Sequence, residues 1–249
     1  MNHVCCIPLA EHGFVISATA VRYHRTMDPS EFQRARSPEA KQLREAAILD
    51  AARSLGAEHG IRQVTLTDIA ARIGMHKSAL LRYFETREQI FLRLTAAGWQ
   101  EWSLALAAVI RELEEPGPAE VAQAFATTLA QRGMFCDLLA QAPLNLERNV
   151  SVEAVREFKL ATLAAREDVF AALEERLPSL GRDDALDLIA TAVALAGAFW
   201  QIATPGPEVA ALYRSDPRLA HAVVEVEPRL ARILTATIQG MLLVPAQPR

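Results

Sequence analysis

The chain is poor in cysteine and has no long uninterrupted apolar run. Its 249 residues include only three cysteines, Cys5, Cys6 and Cys136. An odd number in a chain of this length excludes a disulfide framework and is typical of a reducing compartment, so we expect a cytoplasmic protein. No stretch of about 18 apolar residues is free of charge or helix breakers, so we expect no membrane-spanning segment and no membrane partner.

Motifs that carry catalysis, metal binding or nucleotide binding are also missing. The six histidines are scattered and lack the spacing of two metal ligands on one helix face. Cys5 and Cys6 are adjacent, and their local backbone does not let both chelate one ion. The chain has no glycine-rich phosphate loop and no Gly-x-Ser-x-Gly turn around a nucleophilic serine. We therefore expect no enzyme active site, no metal and no cofactor.

Composition and charge are those of a globular protein with two unlike parts. Hydrophobic residues make up 51% of the chain and charged residues 22%, and the net charge is −4, so the whole chain is not a polyanion binder. Residues 36–93 contain 10 Lys/Arg and 7 Asp/Glu, whereas residues 94–249 contain 13 and 20. This asymmetry favours contact with a polyanion through the first part alone, unless it reflects chance variation among solvated helix faces.

Helical periodicity continues through nearly everything after Ser37, while strand alternation and internal repeats are absent. Ser37 and Pro38 are typical of a helix start. The apolar face predicted for this helix consists of Leu43, Ala47, Ile48, Ala51, Ala52 and Leu55. The later predicted helices are a short one from Thr65 or Thr67 to Ile73, then 78–84, 87–115, 119–132, 135–141, 152–177, 183–203 and 228–243. The sequence therefore predicts an all-α fold.

Residues 1–37 differ from the rest of the chain. Their short apolar runs are broken by Pro8 and Gly13, and no lysine or arginine precedes Arg22, which is unlike a signal peptide. Three interpretations stay open: a disordered arm, a reading frame extended upstream of a start at Met27, or a short accessory helix. We expect a disordered extension whose basic residues, together with those of the first helix, supply phosphate or minor-groove contacts.

The most informative segment spans residues 66–84. Two short predicted helices meet at Gly74, which can adopt the positive φ of the turn, and Ala70 is small enough for the point where the helices cross. The residues spaced to lock the second helix onto the first are Met75, Leu80 and Phe84. The N-terminal end of the second helix would enter the major groove of DNA. The outward positions of this helix are Lys77, Ser78, Ala79, Leu81, Arg82 and Tyr83. Ala70 and Gly74 alone would equally fit an ordinary pair of core helices.

With its surroundings, this segment resembles the DNA-binding module of the TetR-type transcriptional regulators. The resemblance covers about residues 42–96 and consists of Ile48-Leu-Asp-Ala-Ala, Gly60, Thr65-Leu-Thr-Asp-Ile-Ala, Gly74 and Ala79-Leu-Leu-Arg-Tyr-Phe-Glu-Thr-Arg-Glu. It implies a homodimeric, ligand-responsive transcription factor, usually a repressor, that leaves a palindromic operator when a small molecule binds. The implied organisation is an N-terminal extension (1–37), a three-helix helix-turn-helix DNA-binding domain (38–93) and a larger helical ligand-binding and dimerisation domain (94–249).

The resemblance also implies roles for individual residues in DNA binding. Thr67 corresponds to a helix-capping residue that meets a phosphate, and Tyr83 and Arg87 correspond to phosphate contacts. The residues in base-reading positions are Lys77, Ser78 and Ala79. Leu81 departs from the family, which usually has tyrosine there. Leu81 either touches a thymine methyl group or leaves the backbone anchoring to Arg82 and Tyr83. His76 is either an exposed turn residue or a DNA contact.

Aromatic residues are frequent after residue 94, and core packing accounts for most of them. Helical bundles place ligand sites between helices, so we expect a subset to line a cavity for a small apolar or aromatic effector. The predicted ligand-binding residues are Trp99, Trp102, Phe125, Phe135 and Phe158. Candidate polar contacts to the same effector are Gln123, Asn145 and Gln201.

Two apolar stripes lie on the last two long predicted helices. The resemblance implies that these helices pack against their copies in a four-helix dimer interface, where small residues permit close approach. The predicted interface residues are Leu186, Ile189, Val193, Gly197, Trp200, Ile233, Thr237 and Gly240. Burial within one subunit remains the competing interpretation for about half of them.

These patterns bear on three classes of function. A DNA-binding regulator is the leading hypothesis. The alternative is an all-helical ligand carrier or oligomerisation module whose helix-turn-helix no longer binds DNA, a possibility that Leu81 and the acidic total charge leave open. An α-helical enzyme has no motif in its favour.

Overall fold

The computed structural model describes residues 38–244, and this range contains helices and no strand, as the periodicity predicts. The helices are α1 (Pro38–His59), α2 (Leu66–Arg72), α3 (Lys77–Leu80), α4 (Arg87–Glu112), α5 (Pro118–Ala130), α6 (Gly133–Gln141), α7 (Val152–Arg176), α8 (Arg182–Ala203), α9 (Pro207–Ser215) and α10 (Val226–Leu243), with 3₁₀ helices at Leu146–Arg148 and Pro217–Ala222. The predicted extension, residues 1–37, lies outside the described residues.

The first three helices form a small head whose core is narrower than the sequence suggested. In α1 the buried apolar residues begin at Ile48, and Leu43 is 73% exposed, so the predicted apolar face was too long. The reason is that α2 and α3 have only 7 and 4 residues and are too short to cover the whole of α1. Gly60 ends α1 with a φ of +79°, a left-handed conformation that favours glycine.

Helix α4 belongs to both parts of the molecule. The Thr86 hydroxyl caps it by accepting a hydrogen bond from the Gln89 N–H at 3.1 Å. Its first turns bury Ile90 and Phe91 with the head, while its later turns pack along α7 and α5. The predicted domain boundary after Arg93 therefore falls inside a continuous helix, and a tilt of α4 would move the head directly.

By length and composition alone, α8 is apolar enough to cross a membrane, and it is the only such helix among residues 38–244. In the fold it packs against α6 and α10, and Leu188, Ala192 and Ala196 are fully buried there. Core helices of soluble proteins pass the same composition test, since their apolar faces are covered by protein.

Helix α6 is short but lies in contact with the head, with α4 and with α8. A glycine stands at each of these contacts, and we term Gly56, Gly98 and Gly197 the α6 socket. A Cβ at Gly98 would lie 2.5 Å from the Phe135 ring, and one at Gly197 would lie 3.0 Å from the Ala140 backbone nitrogen. A Cβ at Gly56 would lie 3.0 Å from the Met134 methyl group. A Cβ at Gly98 would therefore force Phe135 to move, and a Cβ at Gly56 or Gly197 would make an unusually tight contact with α6.

We expect Gly98→Ala to lower the free energy of unfolding by about 1–3 kcal/mol, because the added methyl group overlaps the Phe135 ring. Without that overlap, alanine in a helix would instead stabilise by about 0.5–1 kcal/mol. Urea unfolding of the two single variants and of Gly98→Ala combined with Phe135→Ala measures the coupling. In the Phe135→Ala background Gly98→Ala should be neutral or stabilising; an equal loss in both backgrounds would disprove the close contact.

Candidate nucleic-acid interface and effector groove

The turn between α2 and α3 has the geometry of a helix-turn-helix. Gly74 adopts a φ of +64°, and the Met75 N–H then donates to the Ala70 carbonyl at 2.8 Å. Ala70 and Leu80 are buried where the two helices meet, and Phe84 is buried just beyond α3. These contacts fix the direction of α3 and confirm the roles predicted for the glycine and the apolar residues of the motif.

Helix α2 begins with a capping box at Thr65, one of the two threonines that the pattern left open, and not at Thr67, to which the resemblance assigned the cap. The Thr65 hydroxyl accepts a hydrogen bond from the Asp68 N–H at 3.2 Å, and the Asp68 carboxylate accepts from the Thr65 N–H at 2.8 Å. The Thr65 hydroxyl and N–H hold the pKa of Asp68 below its usual range. Thr67 therefore lies in the first turn of α2 with an exposed side chain, and its predicted phosphate contact no longer rests on capping.

Helix α3 carries the predicted base-reading residues on its outer side. Lys77, Ser78 and Arg82 are exposed, whereas Ala79 and Tyr83 are half-buried. The helix ends at Leu80 and not at Phe84 as predicted, so Leu81, Arg82 and Tyr83 lie in a turn. Leu81 is 44% exposed beside them. Within residues 38–244 neither Lys77 nor Arg82 forms an ion pair, so both charges are available to an anionic partner.

Arg87 does not have the exposed position that a phosphate contact requires. Its guanidinium donates to the backbone carbonyls of Ile61 and Val64, pairs with the Glu88 carboxylate at 2.9 Å and leaves the side chain only 17% exposed. The resemblance-based assignment of Arg87 is therefore corrected: this residue holds the turn between α1 and α2.

A second head contact was missing from the sequence interpretation. Arg72 at the end of α2 forms two hydrogen bonds to Glu58 near the end of α1, at 2.7 and 3.1 Å. The pair lowers the pKa of Glu58. It lies on the surface and joins residues 14 positions apart, so no local pattern signals it.

A groove of about 580 Å³ runs between α4 and α7 and reaches α1 at Leu49. Alanine is the most frequent residue in its walls, and these small side chains leave the space open: Ala96, Ala97, Ala154, Ala161, Ala164 and Ala165. Leu92 and Phe158 add larger apolar surface. Polar groups at the groove include Gln89, Gln100 and Asp168, and the Arg93 guanidinium lies 3.7 Å from the Glu157 carboxylate.

Of the five predicted ligand-binding residues, only Phe158 lines this groove. Trp99, Trp102 and Phe135 pack edge-on or tilted with ring centroids 5.5–6.0 Å apart, and Phe125 packs against Trp102 at 6.1 Å. All four are buried, and the Trp102 indole N–H donates to the Thr128 hydroxyl at 3.1 Å. They form the core that seats α6, so their assignment to the effector site is corrected.

The predicted polar contacts are also used elsewhere. Gln201 donates to Asp137 at 2.8 Å, and the Asn145 side-chain carbonyl accepts from Asn149 at 2.8 Å. Gln123 lies on a separate shallow depression along α5, where it donates to Glu227 at 2.7 Å. None of the three reaches the groove between α4 and α7.

The predicted dimer residues divide into buried and accessible groups. Ile189 is 1% exposed and Gly197 packs on Ala140 of the same chain, so neither can meet a partner subunit, and both assignments are corrected. The half-buried ones are Leu186, Val193, Trp200, Ile233 and Thr237, and Gly240 is exposed. The uncovered face of α8 instead carries Ala190, Ala194, Ala198 and Ile202, which the pattern analysis did not select.

Among residues 38–244 no group of three or more His, Cys, Asp or Glu side chains is placed to hold a metal ion. Burial raises the pKa of the Cys136 thiol to about 12, so this cysteine is neither a thiolate ligand nor a nucleophile at neutral pH.

Comparisons with known proteins agree with this geometry. The family described as "Bacterial regulatory proteins, tetR family" matches residues 48–94. The family described as "Tetracyclin repressor-like, C-terminal domain" matches residues 96–245. Comparison with curated proteins gave no match.

Solved structures of the same kind are similar but distant. The fatty acid degradation regulator FadR from Bacillus halodurans is 16% identical, with a TM-score of 0.46, and the match covers 82% of this chain and 97% of that one. A TetR/AcrR-family regulator from Thermobifida fusca is 19% identical, with a TM-score of 0.45 and coverage of 82% and 99%. These similarities carry no conclusion about an effector or an operator. By the two family matches, which together span residues 48–245 except for residue 95, the chain belongs to the TetR-type transcriptional regulators.

Proposed function

We propose that the protein is a homodimeric, ligand-responsive repressor of transcription that binds a palindromic operator and is released by a small apolar effector. Regulators of this family are DNA-binding proteins and generally not enzymes. The observation that carries the proposal is the outer surface formed by α3 and the turn after it, where Lys77 and Arg82 are exposed cations without ion pairs among the described residues. Operator DNA, a second copy of the chain and the effector are the proposed partners, and chromosomal DNA as a target implies a cytoplasmic location.

The DNA-binding surface consists of the predicted residues with Arg87 removed. Phosphate contacts come from exposed polar and basic groups around the motif, and base contacts come from the N-terminal part of α3. The proposed contacts are Thr67, Lys77, Ser78, Ala79, Arg82 and Tyr83. Tyr83 is half-buried, so only part of its ring and hydroxyl is available to a phosphate.

The groove between α4 and α7 is the proposed effector site. Its alanine walls suit the body of an apolar or aromatic molecule, while Gln89, Gln100 and Asp168 offer hydrogen bonds to a polar end. Gln89 also accepts a hydrogen bond from the Glu85 N–H at 2.7 Å, and the Glu85 carboxylate accepts from the Ser151 N–H at 2.9 Å. An effector that binds Gln89 would therefore disturb the connection between the head and the start of α7.

The uncovered face of α8 supports the proposed dimer. Ala190, Ala194 and Ala198 recur every four residues and present a smooth strip that a second α8 could approach closely. On α10, Gly240 is exposed, and Ile233 and Thr237 are half-buried. Two heads joined in this way would read inverted half-sites about 34–36 Å apart or somewhat more.

We expect Lys77→Ala and Arg82→Ala to weaken binding to all duplex sequences, since each removes a cation that faces the DNA. Each loss should also lower the slope of log affinity against log salt by about 1. The matched control is Arg111→Ala, an exposed cation at the far end of α4. Fluorescence anisotropy titrations at several salt concentrations measure both quantities. Unchanged affinity and slope in both α3 variants would favour the ligand carrier with an inactive helix-turn-helix.

We expect Ala161→Leu to narrow the effector groove while leaving DNA affinity unchanged, because the side chain lies on the groove wall and belongs to α7, not to the head. Affinity for N-phenyl-1-naphthylamine, a neutral aromatic fluorophore, should fall about tenfold or more. The control is Ala171→Leu, an exposed alanine on the same helix outside the groove. Equal dye affinity in the two variants would show that the fluorophore binds elsewhere.

We expect Ala194→Glu to convert the dimer to monomers, because the new carboxylate would be buried unpaired between two α8 helices. Size-exclusion chromatography with light scattering measures the mass, and circular dichroism confirms that the subunit stays folded. Ala171→Glu, on the exposed face of α7, should remain dimeric. A dimer of unchanged affinity in Ala194→Glu would place the interface on another surface.

A further inference from the structure

One carboxylate joins the head to the helix that carries the proposed dimer surface. Asp137, on α6, accepts a hydrogen bond from the Ile61 backbone N–H at 3.1 Å through one oxygen. Its other oxygen accepts from the Gln201 side-chain amide at 2.8 Å. Ile61 lies in the turn between α1 and α2, and Gln201 lies in the last turn of α8. The contacted residues are 76 and 64 positions away in sequence from Asp137.

The turn that Asp137 contacts leads directly into the helix-turn-helix. It runs from Gly60 to Val64 and is followed by Thr65, the cap of α2. The Arg87 guanidinium donates to the Ile61 and Val64 carbonyls, so α4 binds two carbonyls of this turn while Asp137 binds one of its N–H groups. The Ile61 side chain is only 1% exposed. The entry to α2 is therefore fixed from two sides, by α4 and by α6.

The surroundings of Asp137 explain why the contact can transmit position. Helix α6 is held in the α6 socket, where Gly197 of α8 lies against Ala140 and Gly56 of α1 lies against Met134. A rigidly seated helix has little freedom to absorb a displacement of its neighbours. Asp137 adds a directional polar contact to this packing, since hydrogen bonds weaken steeply when distance or angle changes.

We propose that Asp137 is a positioning residue that fixes the orientation of the DNA-binding head relative to α8, and so sets the spacing of the two heads in the dimer. This inference rests on the proposed DNA-binding dimer. A dimer gains affinity for a palindrome only if both heads fit their half-sites at once. Loss of Asp137 would leave each head able to bind one half-site but would let the distance between heads vary.

A side chain of similar shape should retain the function. In Asp137→Asn, the side-chain carbonyl can still accept from the Ile61 N–H, and the new amide can donate to Gln201 once the Gln201 amide is turned over. Asp137→Ala can do neither. The pair of variants therefore separates the loss of the polar link from the loss of negative charge.

The first measurement is amide hydrogen exchange of the turn at residues 60–65 in the intact protein without DNA. Exchange should be at least about tenfold faster in Asp137→Ala than in wild type, and close to wild type in Asp137→Asn, because the Ile61 N–H loses its acceptor only in the first. Val169→Ala is the control for general destabilisation, since it removes a fully buried side chain of α7 outside the link. Unchanged exchange in Asp137→Ala, or an equal increase in Val169→Ala, overturns the proposal.

The second measurement uses duplexes that wild-type protein selects from random DNA, prepared as the palindrome, as one half-site and with the spacer changed by one or two base pairs. In Asp137→Ala, affinity for the palindrome should fall about tenfold or more while half-site affinity changes less than about twofold, and altered spacers should be discriminated less. Equal losses on palindrome and half-site overturn the positioning role. If the wild-type protein selects no duplex, the proposed DNA-binding function fails. The exchange measurement alone then supports or overturns the role of Asp137 in holding the head.

Discussion

The close approach of three helices to α6 is the constraint on which the rest of the structure depends. Gly56, Gly98 and Gly197 come from α1, α4 and α8, and each lacks the side chain that would keep its helix away from α6. The approach of α1 to α6 joins the head to the rest of the subunit, and the approach of α4 packs the aromatic core against α6. The approach of α8 brings Gln201 to Asp137. One nine-residue helix thus holds the head, the core and the proposed dimer helix in a single packing arrangement.

The head depends on these contacts because it has little core of its own. Helices α2 and α3 contain 7 and 4 residues, too few to be stable without tertiary packing. Arg87 and Asp137 bind the turn before α2, and Glu85, just after α3, binds the start of α7. The position of the head is therefore decided outside the head. Gln89 lines the groove and accepts a hydrogen bond from the Glu85 N–H, so a ligand bound there would act at the same boundary.

The sequence predicted what periodicity and turn chemistry control. The all-α fold, most long helices, Gly74 and the buried Ala70 and Leu80 follow from local patterns. Helix α9 was missed because it has only nine residues and buries none of them. The disordered extension predicted for residues 1–37 stays a prediction.

The errors concern partners far away along the chain. Arg87 is basic and close to the motif, yet the carbonyls that it binds belong to a turn more than 20 residues earlier. The aromatic residues were expected at the effector site, but a void requires small side chains, and the groove is lined by alanines that no hydrophobicity pattern selects. On α8, small residues occur on both faces: Ala192, Ala196 and Gly197 are buried in the subunit, whereas Ala190, Ala194 and Ala198 are uncovered. The composition of a helix face therefore indicated that the face is apolar, but it did not indicate whether the helix's own subunit covers that face.

The central claim is that the chain is a sequence-specific DNA-binding dimer, and selection of duplexes from random DNA tests it most directly. The full-length protein, at near-physiological salt, should enrich an inverted repeat whose half-site centres lie about one helical turn apart or somewhat more. Enrichment of an inverted repeat would demonstrate specificity and two-fold symmetry together. Recovery of no preferred sequence, or of a single half-site without a symmetric partner, would contradict the account.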